Sequence, residues 1–286
     1  MISTRILRRR IQSVENTAKI CKAMEMIATA KMKRAQDQAQ AGRPYAEKIG
    51  QVIADLAAHP QIGGEAHPLL ERREIKKIAI IHFTTDRGLC GGLNANLNRL
   101  VAGFLLEQSV PVTLITIGRK GRTFMLRAGQ NIRAEFTGMK DRPTLQETLP
   151  ISRVVIDDYS SGEIDLVYLA YPRFVTTMVQ SPTMDVLLPV EPVELPPSQR
   201  GEYIYEPKPS VVLNALLPRF VEMQVYHAIL ELIASEQSAR MVAMRSASDN
   251  ARDVIEDLTL TLNKARQETI TNEICDICGG AEALTR

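Results

Sequence analysis

The two ends of the chain each carry a long row of apolar or small residues at alternating steps of four and three. In residues 1–57 only Glu25 departs from this pattern, and no Pro occurs before Pro44. A repeat kept over this many turns is typical of a coiled-coil seam rather than of a short globular helix. It predicts an N-terminal coiled-coil helix that Pro44 bends. The predicted seam is Leu7, Ile11, Val14, Ala18, Cys21, Glu25, Ala28, Met32, Ala35, Ala39, Gly42, Ala46, Ile49, Ile53 and Leu56.

The same pattern returns in residues 209–286 and predicts a second, longer coiled-coil helix. Ser210 is a suitable N-cap, Pro218 can kink the first turns, and no Gly follows until Gly279. Neither helix can bury its apolar row alone, so we expect the two helices to pair antiparallel. The longer C-terminal helix should then end as a lone helix, which needs a partner to cover it. Its row is Leu213, Leu216, Phe220, Met223, His227, Leu230, Ala234, Gln237, Met241, Met244, Ser248, Ala251, Ile255, Leu258, Leu262, Ala265 and Thr269.

Between these helices, residues 75–195 have the pattern of an α/β domain. Buried strands alternate with helices, which is typical of a small, largely parallel, Rossmann-like sheet. The predicted fold class is therefore α/β plus a long antiparallel coiled coil. The predicted strands are 77–83, 110–117 and 165–171, and the predicted helices are about 93–108, 119–128 and 144–160. An extended linker follows the domain and contains Pro189, Pro192, Pro196, Pro197, Pro207 and Pro209.

Composition adds little to the prediction of the protein's class. Of 286 residues, 45% are hydrophobic and 24% are charged, as in an ordinary soluble protein, but aromatics are 5% and Trp is absent. No apolar run approaches the roughly 18 residues of a membrane-spanning helix, and no apolar signal core follows the first residues. Four scattered Cys suit a reducing compartment.

The first 34 residues form a basic strip. They carry nine Lys or Arg and two acidic residues, in a chain whose net charge is +2. Three interpretations stay open: a solvated helix face, a surface for nucleic acid or anionic lipid, and a surface for an acidic protein. No aromatic residue interleaves the basic ones, which disfavours binding of single strands by stacking. The basic residues are Arg5, Arg8, Arg9, Arg10, Lys19, Lys22, Lys31, Lys33 and Arg34.

Residues 234–251 are small or unbranched on every helix face. Such a segment lets two helices approach closely and keeps the outer surface slim enough to pass through a sleeve. A high helix propensity alone explains the same composition, and the sequence favours this simpler interpretation.

Candidate catalytic residues are few. The loop at residues 88–92 follows a strand and opens a helix, as a phosphate loop does, but it lacks the Gly-Lys-Ser/Thr ending and the dinucleotide spacing. Cys90 as a nucleophile would need a base, and His82 lies inside a predicted strand. Asp157 and Asp158 are adjacent, so they point in different directions on a helix. We therefore predict no catalytic, cofactor-binding or metal site.

Four motifs, in order along the chain, resemble those of bacterial F-type ATP synthase gamma subunits. Residues 16–28 (NTAKICKAMEMIA) resemble the N-terminal helix, and residues 85–94 (TDRGLCGGLN) resemble the loop after the first strand. The C-terminal helix is similar at residues 235–244 (SEQSARMVAM) and 263–267 (NKARQ), and the terminal signature is similar at residues 270–281 (ITNEICDICGGA). The resemblance therefore runs from end to end.

This resemblance implies a rotor subunit that catalyses nothing itself and needs no cofactor. The paired helices would turn inside a hexamer of alternating alpha and beta subunits and force the catalytic sites on beta through different affinities. The α/β domain would meet the ring of membrane c-subunits and the epsilon subunit, with delta, a and b completing the complex. It also implies a place at the cytoplasmic face of the bacterial plasma membrane, with no nucleic acid partner and no membrane insertion of its own.

The resemblance also assigns partner contacts. Met24 would face an acidic lever of beta that the basic strip complements, and Cys90 would lie close to that lever. Exposed ion pairs of this kind are worth about 0–1 kcal/mol each, which suits a bearing. The contacts assigned to alpha and beta are Arg8, Arg9, Met24, Cys90, Arg266, Gln267 and Thr271. Those assigned to the c-ring and epsilon are Arg43, Tyr45, Tyr205 and Glu206.

Cys275 and Cys278 depart from the family pattern, where ordinary helix residues are expected. A redox or zinc role is one interpretation, but a structural zinc site needs four ligands and no second Cys pair exists. Positions three apart share one helix face, so core-like packing is the favoured expectation.

Two other classes of function stay open. The first is an α/β enzyme with a coiled-coil oligomerisation arm, whose central domain would bind a nucleotide. The second is a basic coiled-coil scaffold with an α/β nucleotide-binding domain, whose binding to DNA would depend on salt.

Overall fold

The computed structural model describes residues 3–57, 67–191 and 205–285. The helices are α1 (Thr4–Ala57), α2 (Leu93–Glu107), α3 (Arg119–Arg127), α4 (Leu145–Ser160) and α5 (Pro209–Thr285), with a short 3-10 turn at Pro68–Leu70. The strands are β1 (Ile78–Phe83), β2 (Val112–Ile117), β3 (Ile132–Phe136), β4 (Leu166–Phe174) and β5 (Gln180–Leu188).

The chain divides into two compact units, and the first contains both chain ends. It joins Met1–Ile27 of the first helix with Arg240–Arg286 of the last. Because α1 leaves this unit at residue 27 and α5 enters it at residue 240, the two segments run antiparallel. Here the predicted seam is buried at Leu7, Cys21, Met244, Ser248 and Ala251, while most residues beside it are exposed. The paired terminal helices are thus confirmed.

The far end of α5 is a lone helix, as predicted. Every residue from 266 to 281 is exposed, and the last residues of the seam that are even half-buried are Leu262 and Ala265.

The second unit, Ala28–Ala239, contains a five-stranded sheet in the order β3-β2-β1-β4-β5. β1 pairs in parallel with β2 and with β4, and β2 pairs in parallel with β3. β5 pairs antiparallel with β4. The sheet is therefore largely parallel, as expected, although the edge strands β3 and β5 were not predicted.

Alternate residues of the sheet pack into two different cores. Ile78, Ile80 and Leu114 lie against α2 and α3 on one face. On the other face, β1 and β2 pack with α4 and with the parts of α1 and α5 that belong to this unit. α1 contributes Ala35, Ile49, Ile53 and Leu56, all positions of the predicted seam. Each fully buried aliphatic side chain contributes about 1.5–3 kcal/mol of hydrophobic stabilisation. This burial fixes the last turns of α1 and the first turns of α5 to the sheet.

The start of α5 differs from the prediction. α5 begins at Pro209, so Ser210 is a helical residue and not the N-cap. A Pro in the first turn fits because its missing N–H would have no partner there. The helices continue through Pro44 and Pro218. The predicted linker residues Pro192, Pro196 and Pro197 lie outside the described residues.

Candidate functional site: the paired helix ends and the loop after the first strand

The basic strip lies on the outer surface of α1. Arg8 and Arg9 are both exposed, and Lys22 pairs with Glu25 one helical turn on, at 2.9 Å. Large apolar side chains lie among these charges: Ile20 is 60% exposed and Met26 is 63% exposed. A monomeric soluble protein rarely leaves large apolar side chains grouped on its surface. A simple solvated face would not need them, so this surface is suited to a protein partner.

The lone end of α5 also presents an apolar face. Ile270, Ile274 and Ile277 follow each other at steps of four and three, and all are exposed, Ile277 to 71%. Arg266 and Gln267 are exposed just before them. Thr271 is exposed too, although its Oγ1 donates to the carbonyl oxygen of Gln267 over 2.9 Å. The helix end thus combines exposed polar residues with an exposed apolar stripe.

In the second unit, the loop between β1 and α2 is held by its own polar side chains. The N–H of Thr85 donates to Asn94 Oδ1 over 3.1 Å, and Asn94 Nδ2 donates to Thr85 Oγ1 over 2.8 Å. Thr85 Oγ1 donates to the carbonyl oxygen of Arg87 over 2.6 Å. Local side-chain to backbone bonds of this kind specify a non-helical path, so the loop enters α2 in one conformation.

Asp86 connects this loop to α3. Its Oδ1 accepts from the N–H of Arg119 over 3.0 Å, and its Oδ2 accepts from the N–H of Gly138 over 2.8 Å. Arg119 is the first residue of α3, so the carboxylate lies at the positive end of the helix dipole. A phosphate bound to α3 would need that same position, which argues against a nucleotide at this helix.

The tip of the loop exposes Leu89 and buries Cys90. Leu89 has a φ of 63° and is 63% exposed. The side chain of Cys90 is 2% exposed and packs with Leu93 and Ala239, and Asn94 Nδ2 donates to its sulfur over 3.3 Å. A substrate cannot reach this sulfur, which removes the nucleophile interpretation. Sequence reasoning missed Leu89, although an apolar residue inside a Gly-rich turn was a signal.

His82 is not a base for that sulfur. Its ring is fully buried on β1, beside Gly121 of α3, and Thr116 is its register partner on β2. Among the described residues, neither ring nitrogen has a hydrogen-bond partner. Burial lowers the pKa of His82 to about 4, so the ring is neutral at physiological pH. It is a core residue without access to solvent.

A second apolar tip, also missed from the sequence, lies at the turn between β4 and β5. Val175, Met178 and Val179 are exposed by 54%, 72% and 52%. The turn is fixed to α5, because Ser235 Oγ donates to the carbonyl oxygen of Pro172 and Ser238 Oγ donates to that of Thr177, over 2.9 and 2.6 Å. Since β1 and β4 are parallel, this turn and the Leu89 loop follow strand ends at the same edge of the sheet.

The residues assigned to a foot region are described in part. Tyr45 is 53% exposed, and Glu206 is exposed. Tyr205 is half-buried, and its Oη donates to Asp55 Oδ2 over 2.7 Å. The side chain of Arg43 lies outside the described part of the chain.

Comparison with known proteins identifies the family. A family model described as ATP synthase matches residues 3–284. The ATP synthase gamma chain of Dehalococcoides mccartyi strain 195 is 63% identical over 284 residues, which cover 99% of this chain and 100% of that protein. The chain belongs to the ATP synthase gamma chain family. The gamma chain of Herpetosiphon aurantiacus is 48% identical, and the match covers the full length of both proteins.

Solved structures of ATP synthases contain chains with the same fold. A chain of the central stalk and c-ring of the Tetrahymena thermophila mitochondrial ATP synthase matches with a TM-score of 0.64 and 26% identity, over 80% of this chain and 99% of that one. A chain from the Euglena gracilis mitochondrial ATP synthase matches with a TM-score of 0.71 over 98% of this chain and 94% of that one; at 19% identity it shows the fold alone.

The residues that the gamma family resemblance assigned fall in both units. The first unit contains Arg8, Arg9, Met24, Arg266, Gln267 and Thr271, of which all but the half-buried Met24 are exposed. Cys90 and the foot residues belong to the second unit. Cys275 and Cys278 are both exposed, so the expectation of core-like packing is wrong for them.

Membrane-spanning helices and metal-ion clusters are both absent from the described residues. In ranges 3–57, 67–191 and 205–285, no helix has the length and apolar content needed to cross a bilayer. No group of three or more His, Cys, Asp or Glu side chains in the same ranges is arranged to hold a metal ion.

Proposed function

We propose that this chain is the central rotor subunit of an F-type, proton-translocating ATP synthase and that it catalyses nothing by itself. It would couple ion-driven rotation of a membrane c-ring to conformational change at catalytic sites on beta subunits. The observation that carries the proposal is the end-to-end similarity to ATP synthase gamma chains, at 63% identity over 284 residues.

The surfaces of the first unit support a shaft inside a collar of alpha and beta subunits. The basic strip would meet acidic side chains of beta, and each exposed pair would contribute about 0–1 kcal/mol. Weak pairs allow the shaft to leave one angle for the next. The stripe Ile270, Ile274 and Ile277 is exposed, and exposed apolar area of this kind marks a surface for a partner. In the complex this stripe would contact an apolar inner surface of the collar and slide along it as the shaft turns.

Contacts with the collar are proposed for Arg8, Arg9, Met24, Cys90, Arg266, Gln267 and Thr271. Since the sulfur of Cys90 is covered by Leu93 and Ala239, the contact of its loop would be made by the neighbouring Leu89. Contacts with the c-ring and epsilon are proposed for Arg43, Tyr45, Tyr205 and Glu206. In a cell the chain would then lie at the cytoplasmic face of the bacterial plasma membrane, as a peripheral part of the complex.

Reconstitution tests this proposal. ATP hydrolysis and size are measured for three samples. They are the chain by itself, a mixture of alpha and beta subunits, and a mixture of all three subunits. We expect no hydrolysis by the chain, and an active complex only when the chain is present. If alpha and beta subunits assembled without it hydrolysed ATP as fast as the three-subunit complex, the proposed function would be wrong.

A charge-reversal pair tests the basic strip within that complex. Arg8→Glu with Arg9→Glu should weaken assembly or slow turnover, and the effect should shrink at high salt because exposed charges are screened. Arg252→Glu is the control for a single reversal and is compared with Arg8→Glu alone, since Arg252 is exposed on α5 and pairs with Asp249 in the same helix. Equal effects of both changes would show that the strip has no specific partner.

A further inference from the structure

Cys275 and Cys278 differ from the other two cysteines in their exposure. Cys21 and Cys90 are buried, whereas Cys275 and Cys278 are exposed on the last turns of α5. Since neither exposed sulfur contributes to a core among the described residues, packing does not explain this pair. Both thiols are accessible to a reagent in the isolated chain.

The helix brings the two residues close together. With a rise of 1.5 Å and a turn of 100° per residue, positions three apart lie about 60° apart around the axis, and their Cα atoms are about 5 Å apart. Disulfides join Cα atoms that are usually about 4.4–6.8 Å apart. In a regular helix their Cβ atoms are about 5–6 Å apart, against about 3.5–4.5 Å in a disulfide, so the bond requires this turn to close by about 1–2 Å. Residues one or two apart do not face each other on a helix and lie outside this reach.

The residues after the pair make this helix end easy to adjust. Gly279 and Gly280 follow directly, and each Gly costs a helix about 1 kcal/mol relative to Ala. Neither has another group within 4 Å of the position where a Cβ would be. The turn that carries the cysteines can therefore shift by the small amount that bond formation requires, without disturbing a packed neighbour.

From this arrangement we propose that Cys275 and Cys278 form a reversible dithiol–disulfide site that reacts with low-molecular-weight disulfides. One thiolate attacks the reagent disulfide, forms a mixed disulfide and releases one reagent thiolate. The second thiolate then attacks the cysteine sulfur of that mixed disulfide, closes the Cys275–Cys278 bond and releases the second reagent thiolate. The two cysteines lose two protons and two electrons, and the reagent takes up both as two thiols. This proposal does not depend on the proposed function.

Nearby carboxylates affect the choice of reagent. Glu273 lies two residues before Cys275 and Asp276 directly after it, so an anionic disulfide such as oxidised glutathione would meet some like-charge repulsion at this helix end. A neutral reagent, bis(2-hydroxyethyl) disulfide, avoids this repulsion and is the probe of choice.

The experiment treats the full chain with this probe and measures both released thiol and the mass of the product. Wild type should release two equivalents of thiol, lose two hydrogens, and yield one linked peptide that contains both cysteines; dithiothreitol should reverse this. Cys275→Ser and Cys278→Ser should each release one equivalent and retain the mixed disulfide. Cys21 and Cys90 should remain thiols in every case.

A spacing control separates ring closure from simple exposure. The double variant Ile277→Cys with Cys278→Ser keeps two exposed thiols but places them two residues apart, on opposite sides of the helix. It should retain two mixed disulfides and form no link. If wild type also stopped at two mixed disulfides, or if the control closed as readily as wild type, the proposed site would be overturned.

Discussion

Gln38 on α1 and Tyr226 on α5 are 188 residues apart in the chain, yet Gln38 Nε2 donates to Tyr226 Oη over 2.6 Å. Tyr226 Oη in turn donates to the carbonyl oxygen of Pro143, just before α4, over 3.3 Å. One half-buried hydroxyl therefore joins the first helix, the last helix and the central domain within the second unit. This pairing adds a polar link to the apolar core in which α1 and α5 already pack together.

Removing that hydroxyl should loosen the unit. We expect Tyr226→Phe to lower the free energy of unfolding by about 1–2 kcal/mol, because it removes two hydrogen bonds from half-buried groups. Tyr45→Phe is the control, since Tyr45 is 53% exposed and should change stability by less than about 0.5 kcal/mol. Urea unfolding followed by circular dichroism measures both. Equal costs for the two variants would show that the hydroxyl of Tyr226 contributes no more than a surface hydroxyl.

Gly118, between β2 and α3, cannot accept a side chain. It has a φ of 87°, and a Cβ there would lie 2.1 Å from the carbonyl oxygen of Thr84. Gly118→Ala should therefore cost more than about 3 kcal/mol, combining backbone strain with a clash against backbone. Gly129 has a φ of 69° with nothing within 4 Å, so Gly129→Ala should cost only about 1–2 kcal/mol from strain. Thermal unfolding of the pair separates the two contributions. Similar losses would mean that Thr84 moves aside.

His82 should make the second unit sensitive to acid. Its pKa falls from 6.5 to about 4 on folding because burial disfavours the charged ring. Protonation therefore favours the unfolded chain: the contribution of His82 is complete above pH 6.5 and is lost as the pH falls toward 4. Between about pH 7 and about pH 4.5 the loss should be roughly 2–3 kcal/mol.

The comparison with His82→Gln isolates this contribution, because carboxylates that titrate in the same range are common to both proteins. Urea midpoints are measured from neutral to acid pH. The stability of wild type should fall more steeply than that of the variant. Parallel curves would contradict a buried neutral histidine at this position.

Asp86 should determine the order of the loop that carries Leu89 and Cys90. Asp86→Ala leaves the N–H groups of Arg119 and Gly138 without their acceptor, which should cost about 1–3 kcal/mol. Asp249→Ala removes an exposed carboxylate whose ion pair lies on one helix face, and should cost less than about 0.5 kcal/mol. Hydrogen exchange at residues 84–92 should speed up in Asp86→Ala alone. Unchanged exchange would mean that the loop is held without Asp86.

The sequence predicted the two terminal helices and their buried faces well. Leu7, Ala28, Ile53 and Ala251 are buried where the four-and-three row placed them, because such a repeat reports one helix face directly. The strands β1, β2 and β4 were found because they are short apolar runs. β3 lies at the sheet edge and alternates half-buried and exposed residues, so it has no continuous apolar run. β5 is also an edge strand and contains Pro182, a residue that an edge strand tolerates but that argues against a strand when only the sequence is known.

For the candidate site, the sequence predicted where the charged residues lie but not which other side chains are exposed. The basic strip could be read from composition, and Arg8 and Arg9 are indeed exposed. No local pattern shows that Cys90 is covered by Ala239, which lies about 150 residues away, while Leu89 faces outward. The exposure of Cys275 and Cys278 likewise depends on where the pairing of the two helices ends.

Rotation of the chain inside the hexamer is the most direct test of its role as a rotor. A bead is attached through Leu106→Cys, since Leu106 is 88% exposed on α2, in a background with Cys275→Ser and Cys278→Ser; Cys21 and Cys90 are buried. The alpha and beta subunits are fixed to a surface and supplied with ATP. The account predicts stepwise rotation of the bead in one direction at a rate that follows ATP concentration. A bead that stays still while the hexamer hydrolyses ATP at full rate would contradict it.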